Sequence, residues 1–166
     1  MESQQEVRAQ YNYEQDISDD VYEKILFMTI KAGCNYFEFT IRHDIDFMED
    51  YSYSYNPQTY QLLDELSEFL VKVEKTNRWA TSLVISYGIV ADVYRYKLNQ
   101  ASLAIVLRYS KKISDWCGPT LPEDIAFFEG EKMWMGTVGH EVESVWHLTE
   151  SEYQEIYSLG IDPWKS

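Results

Sequence analysis

The sequence has few basic residues, few cysteines and no long apolar run. Only 14 Lys and Arg stand against 28 Asp and Glu, which gives a formal net charge of -14. Nucleic-acid surfaces need cations that replace the counterions of phosphates, so this balance argues against binding to DNA or RNA. No stretch reaches the roughly 18 consecutive apolar residues of a membrane span, and the first residues do not resemble a secretory signal. We therefore expect a cytoplasmic protein that contacts neither nucleic acid nor membranes.

Motifs for common chemistries are also missing. The two cysteines, Cys34 and Cys117, are far apart and outside any C-x-x-C arrangement, which leaves zinc and redox motifs without support. We expect both thiols to be reduced and partly buried, with a disulfide between them left open. The sequence has no G-x-S-x-G, no P-loop and no G-x-G-x-x-G. We predict no cofactor, no metal site and no catalytic residue.

Length and hydropathy predict one domain with one core. The chain has 166 residues, of which 45% are hydrophobic, and this is enough to bury a core without disulfide or metal support. Residues 1–17 are polar and show no sustained periodicity. They predict a disordered or frayed leader, so the domain is expected to span residues 18–166.

Helices are predicted where a capping residue precedes apolar residues at helical spacing. Ser18 begins the first helix, which ends at Gly33. Asn56-Pro57 begins a second helix, whose apolar stripe runs to Val73. Asn99 and Thr149 begin the third and fourth helices.

Strands are predicted from alternation and from β-branched or aromatic runs. Residues 36–42 alternate apolar and polar side chains, and further runs lie at 83–87, 89–97, 125–128, 133–138 and 142–147. The resulting order, αβαββαβββα, lacks strict alternation of strands and helices. It predicts an α+β fold of two layers, in which helices pack on one face of a mainly antiparallel sheet.

The most distinctive segment is DIDFMEDYSYSY, residues 44–55, in which acidic residues and tyrosines are concentrated. Acidic side chains attract basic partners over long range, and tyrosine supplies rigid contact area with a polar tip. We predict a surface that binds a basic protein. The predicted contact residues are Asp44, Asp46, Glu49, Asp50, Tyr51, Tyr53 and Tyr55.

Alternatives come from the histidines. His43, Asp44 and Asp46 form an H-D-x-D that could hold a hard cation or supply a base in a small metal-dependent or hydrolytic enzyme. His140 and Glu141 offer a second group, but the next histidine follows after seven residues, whereas zinc proteases need two histidines four apart on a helix. A structural or regulatory subunit is the third alternative.

Three stretches carry a resemblance to a known family: NYFEFTIR-x-D from residue 35, VEKTN-x-W from residue 73, and LPEDIAFF from residue 121, with Trp134 and Gly139-His140-Glu141 behind it. Over about residues 33–145 the chain resembles a family of small, acidic, cytoplasmic bacterial proteins, some of which carry a stage III sporulation label. Proteins of this kind are similar to immunity proteins of bacterial toxin systems, which neutralise a toxin by covering its surface. The resemblance therefore implies a non-enzymatic binding protein with a basic partner such as a toxin, and it carries over no catalytic residue.

Overall fold

A computed structural model describes residues 6–43, 55–83 and 90–166 of the chain. Within these ranges, four helices pack against an eight-stranded sheet with the strand order β10-β1-β9-β8-β7-β2-β6-β3 and antiparallel neighbours throughout. The predicted α+β class and the order of the main elements are confirmed. The strands are β1 Ala9–Tyr13, β2 Tyr36–Arg42, β3 Leu70–Thr76, β4 Arg78–Trp79, β5 Ser82–Leu83, β6 Ala91–Lys97, β7 Glu123–Glu129, β8 Lys132–Val138, β9 Glu143–Leu148 and β10 Trp164–Lys165. The helices are α1 Asp19–Lys31, α2 Pro57–Glu65, α3 Gln100–Tyr109 and α4 Glu150–Ser158.

The main core lies between the helices and one face of the sheet. Helices α1 and α2 both contact α3, and α4 lies on β9. Below the helices, side chains that pair across neighbouring strands form a buried apolar row. Six strands thereby present one continuous apolar surface to the helices. From β1 to β6 across the sheet, the row consists of Tyr11, Trp146, Met135, Phe127, Phe37 and Tyr96.

Local signals in the sequence place several elements correctly. The alternating stretch at 36–42 is strand β2, with Phe37 and Phe39 fully buried. Asn99 caps α3 by accepting a hydrogen bond from the Ser102 N–H, and the Ser102 hydroxyl in turn accepts one from the Asn99 N–H. Thr149 caps α4, and the predicted strands at 125–128, 133–138 and 142–147 correspond to β7, β8 and β9.

The predicted disordered leader is wrong for the described residues before Ser18. Residues 9–13 form β1, which pairs with β9 on one side and with the two-residue strand β10 on the other. Tyr11 and Ile17 are buried in the core. The segment is polar in composition, but pairing with two strands satisfies its backbone, and this pairing is not visible in a local signal.

The predicted end of the second helix is also wrong. The helix begins at Pro57 as expected, but it ends at Glu65 and is followed by a short 3-10 turn at Ser67–Phe69. Residues 70–76 then form β3, the outermost strand beside β6. Of the predicted strand at 83–87, residues 84–87 lie outside the described residues.

Two further expectations concern the thiols and the membrane. Both cysteines are free, with Cys34 buried and Cys117 half-buried. Burial raises the pKa of Cys34 to about 12. In the described part of the chain, none of the helices combines the length and the apolar character that crossing a membrane requires.

Candidate binding site at one end of the sheet

The flanks of the acidic segment meet at the end of the sheet where β2 stops and β7 begins. Arg42 is the last residue of β2, His43 follows it, and the described chain resumes at Tyr55. Thr40 of β2 pairs with Glu123 of β7, which places the first residues of β7 beside the end of β2. The other predicted contact residues lie outside the described residues, namely Asp44, Asp46, Glu49, Asp50, Tyr51 and Tyr53.

Tyr55 occupies an interior position, so the expectation of an exposed ring is wrong for this residue. Its side chain is only 5% exposed. The hydroxyl donates a hydrogen bond to Oε2 of Glu123 and accepts one from the backbone N–H of Arg42 at 2.9 Å. Burial raises the pKa of Tyr55, and the nearby charge of Glu123 raises it further. Tyr55 therefore joins β2 to β7 and fixes the point at which the acidic segment ends.

Glu123 is the centre of this network. It is 3% exposed, and its second oxygen, Oε1, accepts a hydrogen bond from the Gly118 N–H at 2.8 Å. Burial raises the pKa of Glu123 to about 7. The hydrogen bonds from Tyr55 and Gly118 favour the ionised form and so oppose this rise in the pKa. Because both carboxyl oxygens already have donors, the group is well suited to anchoring and poorly placed to act on a substrate.

Asp124 holds a second set of elements together. Its carboxylate accepts hydrogen bonds from the indole N–H of Trp79 at 2.8 Å and from the Gly139 N–H at 3.0 Å. The backbone of Asp124 is left-handed, with φ +58°, a region that aspartate tolerates better than most residues. Burial raises the pKa of Asp124, and the hydrogen bond from Trp79 is the largest opposing effect. Strand β4, which carries Trp79, is thereby fixed to the start of β7.

Trp79 connects the two carboxylate networks. Its ring belongs to a small buried cluster with Val90, Ala91 and Val93. The guanidinium carbon of Arg42 lies 5.4 Å from the ring centroid, within the range of a cation-π contact. The residue that precedes the acidic segment is therefore held through its backbone by Tyr55 and through its side chain by Trp79.

The described contacts of His43 and His140 lie outside these hydrogen-bond networks. His43 Nε2 is 2.9 Å from Asp92 Oδ2, and Lys75 Nζ is 3.4 Å from the other oxygen of the same carboxylate. His140 Nε2 lies 3.5 Å from a carboxylate oxygen of its neighbour Glu141. Across residues 6–43, 55–83 and 90–166, no three His, Cys, Asp or Glu side chains come together as a metal site. The H-D-x-D alternative depends on two aspartates outside those ranges.

Cys117 lies beside the buried carboxylates. Burial raises the pKa of Cys117, and the charges of Glu123 and Asp124 raise it further. A reactive cysteine needs the opposite surroundings, with cations or a helix N-terminus that favour the thiolate. The arrangement therefore favours an inert thiol and gives no support to cysteine-based catalysis.

Reasoning from sequence misses Glu123 and Asp124, the two residues that organise this end of the sheet. They lie within LPEDIAFF, whose local pattern indicates only a strand preceded by proline. The signal that the sequence does offer is the run of apolar residues that follows them. Acidic residues at the start of a buried strand need hydrogen-bond partners within the protein. Those partners come from residues 55, 79, 118 and 139, which no local pattern brings together.

Comparison of the chain with protein-family models, with curated proteins and with solved structures found no match.

Proposed function

We propose that this protein is a non-enzymatic, acidic binding protein that captures a basic protein, in the manner of an immunity protein that neutralises a toxin. The observation that carries the proposal is the anchoring of both flanks of the acidic segment. Arg42 at its start and Tyr55 at its end are joined by a hydrogen bond of 2.9 Å. The segment of four acidic residues between them therefore leaves and returns at a single point of the sheet.

Charge supports the choice of partner. A net charge of -14 creates a field that attracts basic surfaces and speeds their encounter. The same field repels the phosphates of nucleic acids and anionic membrane surfaces, which are excluded as partners in this proposal.

Preorganisation supports the choice of site. Binding is costly when both partners must order flexible groups, and a fixed flank lowers that cost. The flank after the segment is held by Tyr55 and by the Asn56 N–H, which donates to the Pro119 carbonyl at 2.7 Å.

Free thiols support the proposed compartment. Neither Cys34 nor Cys117 is in a disulfide, as expected for a protein that works in the reducing cytoplasm. The proposal therefore places the encounter with the basic partner in the cytoplasm.

One observation favours a second candidate, a small metal-dependent enzyme in which His43 acts as a ligand or as a base. The contact of 2.9 Å between His43 and Asp92 orients the imidazole, as a carboxylate does in many acid-base sites. Metal analysis of the purified protein and replacement of His43 by alanine test this candidate. Stoichiometric metal in the wild-type protein that is lost in the variant supports this candidate. A protein that is free of metal both with and without the replacement removes it.

The binding proposal is tested with proteins encoded next to this chain's gene. Each is produced separately and titrated into the protein by calorimetry, first at low salt and then at high salt. We expect one basic product to bind with one-to-one stoichiometry. At low salt, a variant that replaces the acidic residues of the segment with lysine is expected to lose most of this affinity. The affinity that remains is expected to decrease little further when the salt concentration is raised. The replaced residues are Asp44, Asp46, Glu49 and Asp50.

A control variant carries the same change in charge at four exposed positions outside the segment, Glu6, Glu14, Glu23 and Glu150. It alters the overall field equally, so a partner that recognises the segment is affected much less by the control. Equal losses in the two variants would mean that only the overall charge matters. Unchanged binding in the segment variant would show that the site is placed wrongly.

A further inference from the structure

Strand β3 exposes apolar side chains along a free edge of the sheet. Leu70, Val71 and Val73 are 42%, 45% and 44% exposed. Strand β6 pairs with one side of β3, and no strand from the described ranges pairs with the other. An exposed edge with apolar side chains is a template for pairing with another strand.

The charge of this edge distinguishes it from the rest of the molecule. Residues 70–76 carry Lys72, Glu74 and Lys75, and Lys75 lies 3.4 Å from Asp92 of β6, so the charges at this edge nearly balance in a chain whose net charge is -14. A basic protein, the partner proposed for the acidic segment, is attracted less strongly to this edge than to the acidic segment. A second copy of the chain meets less repulsion at this edge than at an acidic surface.

Register selects one way for two copies to pair. In an antiparallel, symmetric pair centred on Val73, Lys72 of each copy lies opposite Glu74 of the other, and the two Val73 side chains face each other. Moving the centre by one residue in either direction places Lys72 or Glu74 opposite itself, which is unfavourable across strands. The sequence LVKVEKT therefore favours the Val73-centred register over its nearest neighbours.

Charge pairing in this register uses groups that are already exposed. Within one copy, Lys72 Nζ lies 3.7 Å from Glu74 Oε2, and the two side chains are 52% and 62% exposed. Such a pair contributes little to the fold, so its members can exchange partners across an interface at low cost. Lysines on an edge strand usually discourage pairing, and here Glu74 provides each Lys72 with an opposite charge.

We propose that two copies of this chain associate through β3, in an antiparallel pair centred on Val73. This inference goes beyond the proposed function and does not depend on it, because the interface lies on the outer edge of β3 and uses none of the residues of the acidic segment. It joins the two sheets edge to edge across the dimer axis.

Sedimentation of the full chain over a range of concentrations tests the proposal. The wild-type mass is expected to rise from 19.6 kDa toward twice that value. Each of Lys72→Glu and Glu74→Lys places like charges opposite each other twice, and we expect it to weaken dimerisation by about tenfold or more. The double variant exchanges the two charges and is expected to recover the dimer.

Mixing the two single variants provides the most specific test. Lys72→Glu carries glutamate at both positions and Glu74→Lys carries lysine at both, so a mixed dimer regains complementary pairs although each variant alone is monomeric. The charge changes Glu23→Lys and Lys24→Glu on the exposed side of α1 serve as controls that leave dimerisation intact. Any of three results would overturn the proposal: the wild-type protein stays monomeric, both single variants still form dimers, or neither the double variant nor the mixture dimerises.

Discussion

Replacement of Glu123 by glutamine should remove a large part of the pH dependence of stability between mildly acidic and neutral pH. The ordinary pKa of a glutamate is 4.5, and burial raises that of Glu123 to about 7. A raised pKa means that the folded state holds its proton more tightly than the unfolded state does. The contribution of Glu123 to stability is therefore fully present below pH 4.5 and is lost as the pH rises through about 7.

The magnitude follows from the difference between the two pKa values. At about 1.4 kcal/mol for each pH unit, a rise from 4.5 to about 7 corresponds to a loss of about 3 kcal/mol of unfolding free energy. The amide of glutamine does not titrate, so the variant lacks this loss. We expect the wild-type protein to lose stability relative to Glu123→Gln by about 3 kcal/mol over this pH range.

Urea unfolding followed by tryptophan fluorescence measures this difference at a series of pH values. Comparison of two proteins cancels the titration of the other carboxylates, which is the same in both. Glu68→Gln, at an exposed position, is the matched control and reports the effect of removing a surface carboxylate. If the curves of wild type and Glu123→Gln stay parallel across the range, burial does not control the ionisation of Glu123 and the account of this network is wrong.

Three further substitutions test individual contacts by the same unfolding measurement. Tyr55→Phe removes the hydroxyl that joins β2 to β7 and should cost about 1–3 kcal/mol, whereas Tyr60→Phe at an exposed position should cost less than about 0.5 kcal/mol; equal costs would contradict the assignment of Tyr55 as an anchor. Gly136→Ala places a methyl group 2.6 Å from both Cγ2 of Thr81 and Sδ of Met133 and should cost about 1–3 kcal/mol; an unchanged stability would contradict the close packing of these side chains against Gly136. Asn99→Ala removes the cap of α3 and should cost about 1 kcal/mol; an unchanged stability would show that the helix does not depend on this cap.

The sequence is informative where a local interaction decides the structure. The alternation at 36–42 predicts β2 because the two faces of that strand have different surroundings. Asn99 and Pro57 mark helix starts because capping and the fixed φ of proline act within a few residues.

Prediction fails where distant segments decide. The stretch that ends at Val73 fits helical spacing, but alternation in VKVEK fits a strand equally, and only pairing with β6 selects the strand. Residues 9–13 carry no local strand signal strong enough to outweigh their polarity, and they become a strand because β9 and β10 pair with them on both sides.

The candidate site shows the same division. The acidic segment is evident from composition alone, and its contact residues at positions 44, 46, 49, 50, 51 and 53 remain a prediction. The recurrence of tyrosine at every second residue predicts Tyr55 at the surface, yet its hydroxyl is bound to a carboxylate 68 positions away. A buried partner so distant in sequence cannot be inferred from one chain.

The central claim, that the segment between Arg42 and Tyr55 receives a basic protein, is tested most directly by the rate of association with that partner in a stopped-flow experiment. For the wild-type protein, the rate should fall steeply as salt is added, because screening removes the attraction between opposite charges. The variant with lysines at positions 44, 46, 49 and 50 should associate slowly, with a dependence on salt that is weak or reversed. The same steep decrease in both proteins would contradict the claim.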